Sequence, residues 1–103
     1  EHPQVAMNAL GVVSSRLRHL VMLVEDLSLR QVTSRVAKIL LDLDAQGEDR
    51  GPLTQQQMAA LAGTAREMVS RSLRALEGEG AIRQERRRNI IVDRERLQRM
   101  AWG

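Results

Sequence analysis

The 103-residue sequence predicts a mainly α chain with one small β hairpin. Three patterns predict it. From Ala6 to Leu27, apolar residues recur at alternating spacings of four and three, as on a long helix with one continuous seam. Between Leu53 and Gly80, two helix-start signals flank Gly63, so two short helices meet at a turn. Beyond Gly80, the runs Ala81 to Glu85 and Asn89 to Val92 read as two short strands around three consecutive arginines.

Pro3 suits the first turn of a helix that runs to about Leu27. Leu10, Leu17 and Val24 take heptad position a, and Ala6, Val13, Leu20 and Leu27 take position d. Such a seam predicts that two copies pair over residues 1–27 as a parallel coiled coil, with Leu10, Val13, Leu17, Leu20, Val24 and Leu27 as the dimerisation residues. The alternative is an amphipathic helix packed on its own domain, because Val5, Met7, Val12, Val21, Met22 and Leu23 form a second apolar surface. Ser28 and Gln31 form a capping box, which predicts a corner and a new helix there. Its stripe of Val32, Val36, Ile39, Leu40 and Leu43 continues to about Ala45, and QGEDRGP, residues 46–52, reads as a loop.

Thr54 caps the next helix, with Gln57 completing a capping box, and Thr64 with Glu67 repeats the device after Gly63. The spacing leaves room for two turns in the first helix. Ala59 is small enough for a close crossing, and Gly63 tolerates the positive φ of a sharp turn. The second helix, about 65–78, divides at 100° per residue into two faces. Val69, Leu73 and Leu76, with Ala65 and Ser72 beside them, point inward; Arg66, Glu67, Ser70, Arg71 and Arg74 form the opposite arc. A pair of this kind is a helix-turn-helix, in which one helix braces the other against a DNA groove. Gly80 ends the second helix in a left-handed conformation. The hairpin over about 81–92 then reads as a wing, with Arg86, Arg87 and Arg88 at its turn near phosphates; the plainer alternative is a basic, solvated turn. Asp93 caps a final short helix through Met100, and Trp102 is expected to anchor it on the core. The fold class is therefore mainly α with a small β wing: a winged helix-turn-helix over 28–103, preceded by a long dimerisation helix over 1–27.

Composition narrows the function. A chain this short buries one modest core. With no cysteine it has neither disulfides nor thiolate metal sites. No apolar run approaches the roughly 20 residues that span a bilayer, and no signal peptide is visible, so a soluble chain without a membrane partner is expected. The net charge of +3 is unevenly placed: residues 64–103 hold ten arginines and six acidic residues, whereas residues 1–63 hold six basic and seven acidic ones. A positive half of this kind favours a polyanion. Trp102 is the sole aromatic residue, so the stacking platforms of a single-strand or RNA binder are missing, and duplex DNA is the better partner. His2 and His19 are too far apart on one helix to share a metal. With no phosphate loop and no nucleophile beside a base, neither catalysis nor a bound metal is expected.

The run LTQQQMAALAGTAREMVSRSLRALEGEGAI resembles the DNA-binding segment of the Crp/Fnr family of bacterial transcription factors, the superfamily of the catabolite activator and the fumarate/nitrate regulator. The shared features are a Thr-initiated helix, a turn glycine, Arg-Glu-x-x-x-Arg and a Leu-Glu pair before a wing. Upstream, QVTSRVAKILLDL is similar to the helix that precedes this motif, and the first helix is similar to the family's dimer helix. The resemblance implies a homodimeric, non-enzymatic transcriptional regulator in the bacterial cytoplasm, associated with the nucleoid, with RNA polymerase as a further partner. It also implies a hinge near Asp26 to Ser28 and a sensory β-roll on the other flank of the first helix. No such β-roll lies in the sequence, which opens at Glu1 and reads as the C-terminal part of a longer regulator; the effector is then bound elsewhere, and no cofactor is expected here.

Site chemistry follows from the exposed arc. Arginine matches the O6 and N7 acceptors of guanine, a carboxylate accepts from the cytosine amine, and a serine hydroxyl meets several base edges. Arg71, Glu67 and Ser70 are the expected base readers. Arg66 and Arg74, with Thr54 and Thr64 at the two helix starts, are expected at phosphates, helped by N–H groups at the helix N-terminus. The alternative for Glu67 and Arg71, at i and i+4, is an ordinary helix ion pair. Glu67-x-x-Ser70-Arg71 is similar to the E-x-x-S-R readout of the fumarate/nitrate branch, which implies a palindrome TTGAT-N4-ATCAA; Ala65 and Ser72 depart from the family pattern. Two other functions fit the same fold: a winged helix used only for protein docking, and the DNA-targeting domain of a DNA-processing enzyme.

Overall fold

The computed structural model describes residues 3–47, 53–86 and 88–103. One helix dominates. α1 (Pro3–Ala45) runs for 43 residues, about 65 Å at 1.5 Å per residue, along a molecule 73 Å in its longest dimension. It is followed by α2 (Gln55–Ala62), α3 (Arg66–Gly78), the antiparallel strands β1 (Ile82–Glu85) and β2 (Arg88–Ile91), and α4 (Arg94–Trp102).

The expected corner at Asp26 to Ser28 is absent. α1 passes through it without interruption, because the stretch Glu25-Asp-Leu-Ser-Leu-Arg-Gln31 contains no glycine or proline to break it. Inside a continuous helix the backbone N–H groups near Ser28 are met by preceding carbonyls, so the capping box has no orphan donors to satisfy. What changes there is the environment. Every described residue from Pro3 to Leu27 is exposed, Ser28 and Leu29 are half-buried, and full burial begins at Val32. The stripe from Val32 to Leu43 stands as expected: Val32, Val36 and Leu40 are buried, Ile39 packs against them, and Leu43 is half-buried.

The core collects at the C-terminal end of α1. Val32, Val36, Ala37, Leu40 and Leu41 meet Met58 and Ala59 of α2, Val69, Leu73 and Leu76 of α3, Ala81 and Ile82 at the hairpin, and Leu97 and Ala101 of α4. α1 thus serves as the central post, and α3 and α4 lie against it. The hairpin pairs Ile82 with Ile91, Arg83 with Ile90, Gln84 with Asn89 and Glu85 with Arg88. Its inner end is apolar and its outer end polar, so it docks at one end and projects at the other. Asp93 caps α4 by accepting from the Arg96 N–H, as expected.

Trp102 does not anchor α4. It is 67% exposed. Leu97 and Ala101, at 0% and 1%, fill that role, because their spacing of four puts both on the inward side of α4 and leaves Trp102 on the edge. Of the remaining sequence readings, His2, Arg87 and residues 48–52 of the expected loop lie outside the described residues.

Candidate nucleic-acid interface

The helix-turn-helix is assembled from local signals and fixed by distant ones. Thr54 Oγ1 accepts from the Gln57 N–H at 3.1 Å, and Gln57 Oε1 accepts from the Thr54 N–H at 2.9 Å. That is the predicted capping box. At the other end of α2, Gly63 takes φ +67°, and the Gly63 and Thr64 N–H groups donate to the carbonyls of Ala60 and Ala59. Ala59, 4% exposed, sits in the crossing with α3, where a longer side chain would separate the helices.

α3 starts differently from the sequence reading. Thr64 does not cap it; the N-cap is Ala65, extended at φ −78° and ψ 150°, with no side-chain cap bond. The Thr64 backbone is already used to close α2, so the helix begins one residue later and Glu67 stands at its second position, too early for a capping box with Thr64. Ala65 is exposed rather than inward-facing. The N-terminus of α3 therefore offers backbone N–H groups that no side chain of its own N-cap satisfies.

The division of α3 into two faces holds. Val69, Ser72, Leu73 and Leu76 are buried, each at no more than 1% exposure. Arg66, Glu67 and Arg74 are exposed, and Ser70 and Arg71 are half-buried on the same outer arc. Glu67 and Arg71 make no ion pair among the described residues; the pairs formed there are Arg83–Glu85, Arg94–Asp44, Arg96–Glu79 and Arg96–Asp93. The pairs sort the arginines. Arg94 and Arg96 of α4 are tied to Asp44, Glu79 and Asp93, whereas Arg66, Arg71 and Arg74 of α3 and Arg86 and Arg88 of the wing carry charge that no described carboxylate neutralises.

The wing turn holds Arg86 at φ +40°, a backbone conformation costly for a residue with a Cβ. Two residues join the strands, and such tight links favour positive φ. Arg86 and Arg88 are exposed at this projecting end. The wing is tied back to α3 by the Gln84 N–H, which donates to Glu77 Oε2 at 3.3 Å.

Several positioning residues escaped the sequence reading. Arg35 Nη1 donates to the Ala62 carbonyl at 3.3 Å, Arg96 Nη1 donates to the Glu79 carbonyl at 2.8 Å, Ser34 Oγ donates to the Ala101 carbonyl, and Arg94 pairs with Asp44. Their partners are 17 to 67 residues away. No local pattern in the sequence marks such bonds. Thr54 and Thr64 flank the unit at the two helix starts; Thr54 is exposed, and its hydroxyl keeps an O–H donor after accepting the cap bond.

A model of the Crp-like helix-turn-helix domain matches residues 34–100. The chain belongs to the Crp/Fnr family. It is 45% identical over 84 residues to the cyclic AMP receptor protein of Thermus thermophilus, a match covering 79% of this chain and 38% of that relative. It is 36% identical over 109 residues to the CRP-like cAMP-activated global transcriptional regulator of Mycobacterium tuberculosis, covering 98% of this chain and 49% of that one. Among solved structures, the Thermus thermophilus catabolite activator protein superposes with a TM-score of 0.76 at 38% identity, over 98% of this chain and 48% of that one. The reduced CO-sensing protein of R. rubrum gives 0.78 at 27% identity, over 96% and 50%. The chain spans half or less of the length of these relatives. They are transcriptional regulators rather than enzymes, and the Crp-type helix-turn-helix with its two-stranded wing is a DNA-binding unit. Among the described residues no helix is long and apolar enough to cross a membrane, and no group of three or more His, Asp or Glu stands close enough to hold a metal.

Proposed function

We propose that this chain is the DNA-reading and dimerising part of a Crp-type transcriptional regulator. One observation carries the reading. α3 buries one face in the core and presents Arg66, Glu67, Ser70, Arg71 and Arg74 together on the other. In this proposal α3 enters the major groove, where Arg71 donates to a guanine, Glu67 accepts from a cytosine amine and Ser70 contacts an adjacent base edge. Arg66, Arg74, Thr54, Thr64 and the wing arginines Arg86 and Arg88 hold phosphates, and the uncapped N-terminus of α3 adds backbone donors.

The exposed seam supports a homodimer. Leu10, Val13, Leu17, Leu20, Val24 and Leu27 are each between 57% and 67% exposed in the single chain. Soluble proteins rarely leave so long an apolar row uncovered, and the alternative of packing on the helix's own domain is not realised. Two copies paired in parallel would carry two recognition helices into successive major grooves, matching a palindromic site of the form TTGAT-N4-ATCAA.

The test is fluorescence anisotropy of a labelled TTGAT-N4-ATCAA duplex and a scrambled duplex across a salt series, with wild type and Arg71→Ala. Preference for the palindrome that vanishes in the variant supports the proposal. A selection experiment returning an unrelated consensus would remove the half-site. No binding even at low salt would favour a protein-docking role instead.

A further inference from the structure

The end of α4 lies on a defined face of α1. Ser34 Oγ donates to the Ala101 carbonyl at 2.5 Å, and Lys38 Nζ stands 5.7 Å from the centroid of the Trp102 ring. Ser34 is one heptad beyond Leu27, and Lys38 is two heptads beyond Val24. Side chains seven apart on a helix share a face, drifting by only about 20° per heptad. The tip of α4 therefore covers the direct continuation of the apolar seam. Where the next seam residues would fall stand Gln31, Ser34 and Lys38, and over the last two lies a segment of the same subunit. A partner helix running alongside as far as Leu27 meets the end of α4 within two further turns.

Trp102 stands at that meeting point. Its indole is 67% exposed, with Lys38 Nζ over the ring. Resting on the homodimer reading, we propose that Trp102 belongs to the dimer contact. The indole of each subunit packs against the partner subunit just past the C-terminal mouth of the seam, about two to three helical turns beyond the level of Leu27. α4 then acts as a wedge that ends the coiled coil and sets where the two DNA-reading units diverge. The occupant is a second copy of this chain because the heptad register that defines the seam is the same one that brings α4 onto its path.

Trp102 is the sole aromatic residue, so intrinsic fluorescence reads it alone. Acrylamide quenching is measured over a dilution series while sedimentation follows the mass. Quenching is expected to fall at least about twofold as the dimer forms, with a blue-shifted emission, because the ring becomes buried. Leu17→Glu, which disrupts the seam, should restore monomer-like quenching at every concentration. Trp102→Ala should keep the helical circular dichroism of wild type and weaken dimerisation about tenfold, as loss of one aromatic anchor does. A dimer in which Trp102 stays as quenchable as in the monomer would overturn the inference and leave the homodimer intact. So would a Trp102→Ala chain that dimerises as tightly as wild type. A chain that stays monomeric at all concentrations would remove the homodimer itself, and the inference with it.

Discussion

Arg35 on α1 and Ala62 at the last turn of α2 are 27 residues apart, and the guanidinium of the first donates to the carbonyl of the second at 3.3 Å. A helix leaves its final carbonyls without partners, and here the central post supplies one just before the turn at Gly63. Arg35→Met keeps the apolar stem and drops the donor. Because Arg35 is itself exposed, water recovers part of the loss, and a destabilisation of about 1 kcal/mol is expected in urea unfolding. An unchanged midpoint would mean that water replaces the guanidinium fully.

Arg71 and Arg74 share one arc of α3 but are assigned different work. Arg71→Ala should lose about 1 to 3 kcal/mol of discrimination between the cognate and scrambled duplexes at each half-site. Arg74→Ala should weaken binding to both duplexes alike and reduce the slope of log affinity against log salt by about one per subunit. Equal effects of the two substitutions on discrimination would contradict the assignment.

Ser72 is fully buried on the inner face of α3, and its Oγ has no hydrogen-bond partner among the described residues. A buried hydroxyl without a partner carries a desolvation cost that the folded state does not recover. Ser72→Ala removes the hydroxyl and leaves a cavity of one oxygen. Thermal unfolding should show a gain of up to about 1 kcal/mol; a clear loss would indicate that the hydroxyl is bonded, for instance to a buried water.

Gly63 adopts φ +67°, and a Cβ built there meets no described atom within 4 Å. The cost of Gly63→Ala should therefore come from the backbone alone, about 1 to 2 kcal/mol. Crystallography of the variant would show an unchanged crossing of α2 and α3. A repacked crossing would mean that space, rather than φ, is what glycine supplies.

The seam of α1 lies outside the core, with Leu17 at 61% exposure and Leu20 at 58%. Leu17→Glu should abolish dimerisation in sedimentation while leaving the unfolding midpoint of the DNA-reading unit within about 0.5 kcal/mol of wild type. If that unit unfolds as well, α1 and the core form one cooperative whole that depends on pairing.

The features legible in the sequence depend on residues within about one helical turn of each other. The Thr54–Gln57 capping box, the Asp93 cap, the αL turn at Gly63 and the inward face of Val69, Leu73 and Leu76 are of this kind, because the partners of each lie three or four positions away. The apolar period from Ala6 to Leu27 is a property of the helix and is legible in the same way; the structure places these residues, exposed, on one continuous α1.

Where two local signals competed, the tertiary structure decided. Ser28 and Gln31 look like a helix start, but α1 continues through them, since its propagation needs no side-chain cap and the core from Val32 onward holds the next turns in phase. Thr64 has the right residue three positions on, yet its backbone closes α2, which moves the start of α3 to Ala65. The direction of α4 relative to α1 decides that Ala101 is buried and Trp102 exposed; neither residue type states which of two neighbours turns inward. The bonds from Arg35, Ser34 and Arg96 that hold the reading unit in place likewise exist only once the chain has brought distant segments together. The sequence by itself determined the helices, the turn and the outward set of arginines, because these are encoded by neighbours. The tertiary structure alone decided how α1, α3 and α4 meet, because that rests on contacts between residues far apart in the chain.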